Sequence, residues 1–119
     1  MQLGTRFIAT PEASVHEDYK RAVLAAEVQD TCLVGPPSLP IRQIKNAFTR
    51  KFEAARDDER EALFNGTSLK KAALEGDVEW GKVEAGQSAG LIDDIVPAAE
   101  LFRRLVRETE EARRRLASL

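Results

Sequence analysis

The scarcity of β-capable sequence constrains this chain more than any other feature. Only two short runs favour a strand, residues 1–8 (Met-Gln-Leu-Gly-Thr-Arg-Phe-Ile) and Thr31-Cys32-Leu33-Val34, and a helix-patterned segment lies between them. Strands joined by a helical crossover are parallel neighbours, and two strands alone do not make a stable sheet. The pattern predicts a mainly α chain with one or two short strands. Those strands need neighbours, either from another polypeptide or from a larger sheet of which they are part.

The remaining segments are read from their periodicity and punctuation. Pro11 ends the first run, and Ser14 with Glu17 has the spacing of a capping box. Tyr19, Val23, Leu24 and Ala26 follow at helical spacing, which predicts a helix over 15–27. Gly35-Pro36-Pro37 closes the second strand run. Ile41, Ile44, Phe48 and Phe52 recur at steps of three and four and predict an amphipathic helix over 41–56. The charged run 56–61 reads as a solvated face or turn, with a short helix reaching Phe64 before Asn65-Gly66. Another brief helix over 68–74 is closed by Gly76 as a C-cap. Residues 77–94 lose all periodicity and carry Gly81, Gly86 and Gly90, and loops of that length are functional or disordered. Pro97 then opens a final helix with a stripe of Leu101, Leu105, Ala112 and Leu116.

Composition narrows the function classes mainly by exclusion. A net charge of −2 over 119 residues gives no field for nucleic acid or an anionic membrane. The C-terminal arginines, Arg103, Arg104, Arg107 and 113–115, interleave with glutamates at helical spacing and make a solvated face. No apolar run reaches the roughly 18 residues that a membrane helix needs, and no signal peptide is visible, so the expected location is cytoplasmic. The single cysteine, Cys32, reads as a small apolar residue of a buried strand with no basic neighbour to sustain a thiolate. His16, in the first turn of a helix, has no partner at metal-ligand spacing, so no metal is expected. Trp80 reads as a packing residue.

Two glycine-containing motifs carry the chemistry. In Gln2-Leu3-Gly4-Thr5, a glycine at a strand end followed by a hydroxyl offers backbone amides and a side-chain donor to a phosphate. Taken alone, such a pair is common in turns. In context, the run Gly4-Thr5-Arg6-Phe7-Ile8-Ala9-Thr10, the following Glu12-Ala13-Ser14 and the helix with Tyr19-Lys20 resemble nitronate monooxygenases, formerly 2-nitropropane dioxygenases. The same pattern is similar to FMN-dependent enoyl-ACP reductases. The resemblance continues through Ile41-Arg42-Gln43-Ile44-Lys45-Asn46 and Gly76-Asp77-Val78 to Ala85-Gly86-Gln87-Ser88-Ala89-Gly90-Leu91, in order over nearly the whole chain.

That resemblance implies the C-terminal piece of a (β/α)8 TIM-barrel flavoprotein with an appended helical subdomain. Residues 1–34 would be the last barrel strand, the following helix and a short strand. Residues 35–119 would be the helical subdomain, with its glycine-rich loop at about 76–96. Gln2, Gly4 and Thr5 would contact the FMN phosphate. Gln87 and Ser88 would face the flavin or substrate, although a tight loop whose polar side chains satisfy local amides explains them equally well. The family's catalytic histidine falls outside this chain, so no catalytic residue is expected here. The implied activity is oxidation of alkyl nitronates, completed by a barrel portion in the same or a partner polypeptide. The chain alone would be inactive and bind FMN weakly or not at all. The alternatives are an enoyl-ACP reductase piece, with acyl carrier protein as its partner, and a non-enzymatic helical interaction module that forms a homodimer.

Overall fold

A computed structural model describes residues 3–119, and Gln2 therefore lies outside the described residues. The chain is mostly helical with one small sheet, as the segment pattern predicts. Its elements are α1 (Thr5–Ile8), α2 (Glu17–Ala25), β1 (Thr31–Val34), β2 (Ile41–Ile44), α3 (Ala47–Ala54), α4 (Asp57–Asn65), α5 (Leu69–Ala73), a 3-10 segment (Gln87–Leu91) and α6 (Ala98–Ala117).

Three expectations from the sequence are corrected. The first run is not a strand through Ile8: residues 5–8 form one helical turn, with the Phe7 amide on the Gly4 carbonyl at 3.0 Å. The Thr10 hydroxyl closes that turn by donating to the Phe7 carbonyl at 2.8 Å. The second correction concerns 41–56, where the helix starts only at Ala47 and residues 41–44 are a strand. That strand pairs with β1 in an antiparallel hairpin, from Thr31 opposite Ile44 to Val34 opposite Ile41, so the sheet is not a parallel pair. Ile41 and Ile44, three apart, fit either period, and the partner strand decides. The third correction is local. The N-cap of α2 is His16, whose Nδ1 accepts from the Asp18 amide at 3.1 Å, and not Ser14.

The expected structureless stretch 77–94 supplies the hairpin with a third lane. Glu84 bridges Gln43, the Ile44 amide donates to the Val83 carbonyl at 2.9 Å, and the Ala85 amide donates to Arg42 at 3.3 Å. This lane seals the larger core, where Tyr19, Val23, Ala26, Ile44, Ala72, Val83, Ala89 and Ile92 pack together. The opposite face of the hairpin turns Val34 toward Phe48 and Phe52 in a second cluster. The C-cap of α5 is Leu74 and not Gly76, which lies two residues further on with φ +77 and the His16 ring packed where a Cβ would stand.

Asn46 ties the two halves together. Its Oδ1 accepts from the Thr49 amide at 3.0 Å, capping α3, while its Nδ2 donates to the carbonyls of Val78 and Gly81, both at 2.9 Å. Along the expected stripe of α6, Leu101 is buried, Leu105 and Ala112 are half-buried and Leu116 is exposed, while Phe102 and Val106 are exposed beside it.

Candidate functional site

The two glycine motifs, far apart in the chain, meet. Thr5 opens α1, and its Oγ1 accepts a hydrogen bond from the Gly86 amide at 2.8 Å, across 81 residues of sequence. A Cβ on Gly86 would stand 3.1 Å from that oxygen, so a side chain there would push the hydroxyl aside. Accepting from Gly86 uses only one of the hydroxyl's capacities, and a hydroxyl also carries a donor. Gly4 precedes it on an exposed backbone, with nothing among the described residues within 4 Å of where a Cβ would lie. Gly4 is therefore not required by packing, and its open face leaves room for a ligand to approach the main chain.

The 3-10 segment begins one residue after Gly86, closed by the Ala89 amide on the Gly86 carbonyl at 3.0 Å. Its buried anchor is Ala89, while Gln87 and Ser88, which follow Gly86 in the chain, are exposed. Neither side chain forms a hydrogen bond among the described residues, so they do not satisfy local amides. The Thr5–Gly86 bond thus joins the turn of Gly4 and Thr5 to the segment that carries Gln87 and Ser88.

A charged bridge borders this group. Asp94 accepts from Arg6 through Oδ1 at 2.5 Å and from Arg104 of α6 through Oδ2 at 2.9 Å. Arg6 also donates to the Asp94 carbonyl at 3.1 Å. The Asp94 carboxylate, foremost among its neighbours, holds the Arg104 guanidinium above its ordinary value. Nearby, the Glu12 carboxylate accepts from the Ala98 amide at 3.0 and 3.2 Å, which satisfies a donor at the start of α6. No local spacing points to Asp94 or pairs Glu12 with Ala98, because Arg6 and Asp94 are 88 residues apart and Glu12 and Ala98 are 86 apart.

The other reactive side chains lie apart from the site. His16 caps α2 against Gly76. Trp80 is half-exposed, with Lys51 Nζ 5.8 Å from its ring centre. Cys32 is half-buried in β1, and burial pushes its thiol up, partly opposed by the Thr49 hydroxyl. A raised thiol holds less thiolate at a given pH, so alkylation of Cys32 by iodoacetamide at pH 8 should be slower than that of a free cysteine peptide. A faster rate would contradict the inert reading. Among the described residues no group of three or more His, Cys, Asp and Glu side chains is placed to hold a metal ion. No helix of the described residues is long and apolar enough to cross a membrane.

A hydroxyl-bearing turn is thus bonded to a glycine-rich segment whose Gln87 and Ser88 side chains are exposed. The profile of the nitronate monooxygenase family matches residues 1–108. The chain belongs to that family, as its glycine motifs predict. It is 35% identical to a nitronate monooxygenase of Paraburkholderia phytofirmans, over 93% of this chain and 32% of that protein. It is 29% identical to a probable nitronate monooxygenase of Staphylococcus saprophyticus, again over 93% of this chain and 32% of the relative. Among solved structures it resembles FabK from Thermotoga maritima, with TM-score 0.87 and 36% identity over 98% of this chain and 39% of that one. It also resembles nitroalkane oxidase from Streptomyces ansochromogenes, with TM-score 0.71 and 31% identity over 97% of this chain and 34% of that one. The chain spans about a third of the length of the curated relatives it matches.

Proposed function

We propose that this chain forms the flavin-phosphate anchor and part of the pocket wall of an FMN-dependent oxidoreductase that oxidises alkyl nitronates. The observation that carries the reading is the Thr5 to Gly86 hydrogen bond, which fuses the two motifs on which the family resemblance rests into one surface. The residues present fit a phosphate monoester with its flavin. Gly4 leaves the backbone open, Thr5 presents a hydroxyl, and Gln87 and Ser88 add uncommitted donors alongside. FMN, when bound, accepts the electrons of the substrate carbanion. This chain's part is to hold and orient: Gly4 and Thr5 bind at the phosphate, while Gln87 and Ser88 line the side toward the ring or substrate. The remainder of the site belongs to the barrel that relatives of three times this length have room to form.

A single wall binds weakly, so a Kd of about 1 mM, equivalent to about 4 kcal/mol, is the scale to expect for the chain alone. Titration with FMN, followed by amide chemical shifts, should move Gly4, Thr5 and 86–88 first. Riboflavin, which lacks the phosphate, should leave Gly4 and Thr5 in place, and Thr5→Ala should abolish most of the FMN response. Equal responses to FMN and riboflavin, or shifts confined to another surface, would refute the anchor.

A further inference from the structure

We propose that Asp94 is a positioning residue for this site, holding α1 against the segment that carries Gly86, Gln87 and Ser88. The inference rests on the reading of Gly4 and Thr5 as the flavin-phosphate anchor.

α1 is four residues long, too short for its own hydrogen bonding to hold it, and its core packing comes from its C-terminal end, where Ile8 lies against the larger core and Ala9 follows it inside. What fixes its N-terminal half is a clamp at two adjacent side chains. Thr5 takes the Gly86 amide on one side of the 3-10 segment, and Arg6 takes Asp94 on the other. Gly86 and Asp94 therefore bracket the segment Gln87–Leu91, and α1 spans the bracket. The two oxygens of the Asp94 carboxylate are divided, Oδ1 to Arg6 and Oδ2 to Arg104, so the clamp is also fastened to α6. Arg6 contributes two nitrogens, to the carboxylate and to the Asp94 carbonyl, and its side chain is only 16% exposed. A two-point guanidinium contact of this kind sets geometry as well as attraction.

A second consequence concerns charge. Arg6 is the cation adjacent in sequence to Gly4-Thr5, and a phosphate site would ordinarily recruit it. Here Asp94 holds both of its bonding nitrogens, so the phosphate is met by backbone and hydroxyl donors. Asp94 thus acts through Arg6 and α1 and does not touch the ligand.

The test is amide exchange at Gly86, a readout that needs no ligand, in the full chain and in Asp94→Asn. Loss of the carboxylate should speed exchange at Gly86 by about threefold to tenfold, the scale of part-exposed charge-assisted bonds, and leave the Phe52 amide in α3 unchanged. Arg6→Gln removes only one arm of the bridge and should show the same selective effect if Asp94→Asn does not fold. Unchanged Gly86 exchange in a folded variant overturns the proposal. So does parallel acceleration at Phe52, which would report general loss of stability. In the ligand arm, Asp94→Asn should weaken the FMN shifts at Gly4 and Thr5 by a similar factor. Tighter FMN binding would mean that Asp94 acts as a repelling charge and not by position, which also overturns it. Failure of the anchor reading is separate and visible in the unsubstituted chain. If FMN moves neither Thr5 nor Gly86 there, the flavin site falls, and Asp94's role in it falls as well, while selective Gly86 exchange would still register the clamp.

Discussion

Replacing Asn46 with alanine should lower the unfolding free energy by about 3–4 kcal/mol, a large fraction of what a domain of this size has. The side chain is 5% exposed, and each of its three hydrogen bonds does a different thing. Loss of the Oδ1 cap on the Thr49 amide contributes about 1 kcal/mol. Loss of Nδ2 leaves the carbonyls of Val78 and Gly81 without that donor, at about 1 kcal/mol or more each where water cannot replace it. Urea denaturation should show a lower midpoint with an unchanged slope. Asn46→Asp separates the contributions. Its carboxylate can still cap α3 but offers no donor to the two carbonyls, so it should be destabilised at least as much as expected from losing those two bonds. A loss below about 1 kcal/mol for the alanine variant would mean that these bonds are not limiting.

Gly90→Ala is the second large effect. A Cβ at this position would stand 2.6 Å from the carbonyl carbon of Glu27 and from the amide nitrogen and Cα of Val28. These are backbone atoms of the turn that follows α2, which cannot rotate aside as a side chain can. Relief therefore requires the 3-10 segment to move away from α2, at a cost of about 2–3 kcal/mol. For a chain of this length that corresponds to a fall in Tm of about 6–15 °C. The displaced segment carries Gln87 and Ser88, so the FMN response at those amides should be lost along with stability. Gly4→Ala is the matched control. Its Cβ would meet nothing within 4 Å among the described residues, and stability should change by less than about 0.5 kcal/mol. A thermally neutral Gly90→Ala would show that the close approach of the two backbones is not maintained in solution.

Much of this protein was legible before any coordinates. The helical content, the glycine turn at Gly76, the boundary at Asn65-Gly66, the start of α6 beside Pro97 and the family itself all follow from local signals. Gly76 illustrates why such signals are reliable. A positive φ is a property of the residue and its immediate neighbours, and glycine announces it directly. His16 shows the limit of even local rules. Ser14 and Glu17 had the spacing of a capping box, yet the helix begins at Glu17 with His16 as its cap.

The tertiary structure decided what depends on a partner elsewhere in the chain. Residues 41–44 are a strand because β1 lies on one side and residues 83–85 on the other, and their own two isoleucines suit either period. Residues 5–8 are helical because that turn sends Thr5 to Gly86 and Arg6 to Asp94, partners 81 and 88 residues away. Gln2-Leu3-Gly4-Thr5 and Gly86-Gln87-Ser88 were each visible as motifs, but nothing in local spacing said that they share a hydrogen bond. Sequence by itself determined which short-range conformations were allowed and which family the motifs belong to, since both are written in contiguous residues. Only the folded chain decided which allowed conformation prevailed and which motifs became one site, because the energies that choose between them come from contacts across the molecule.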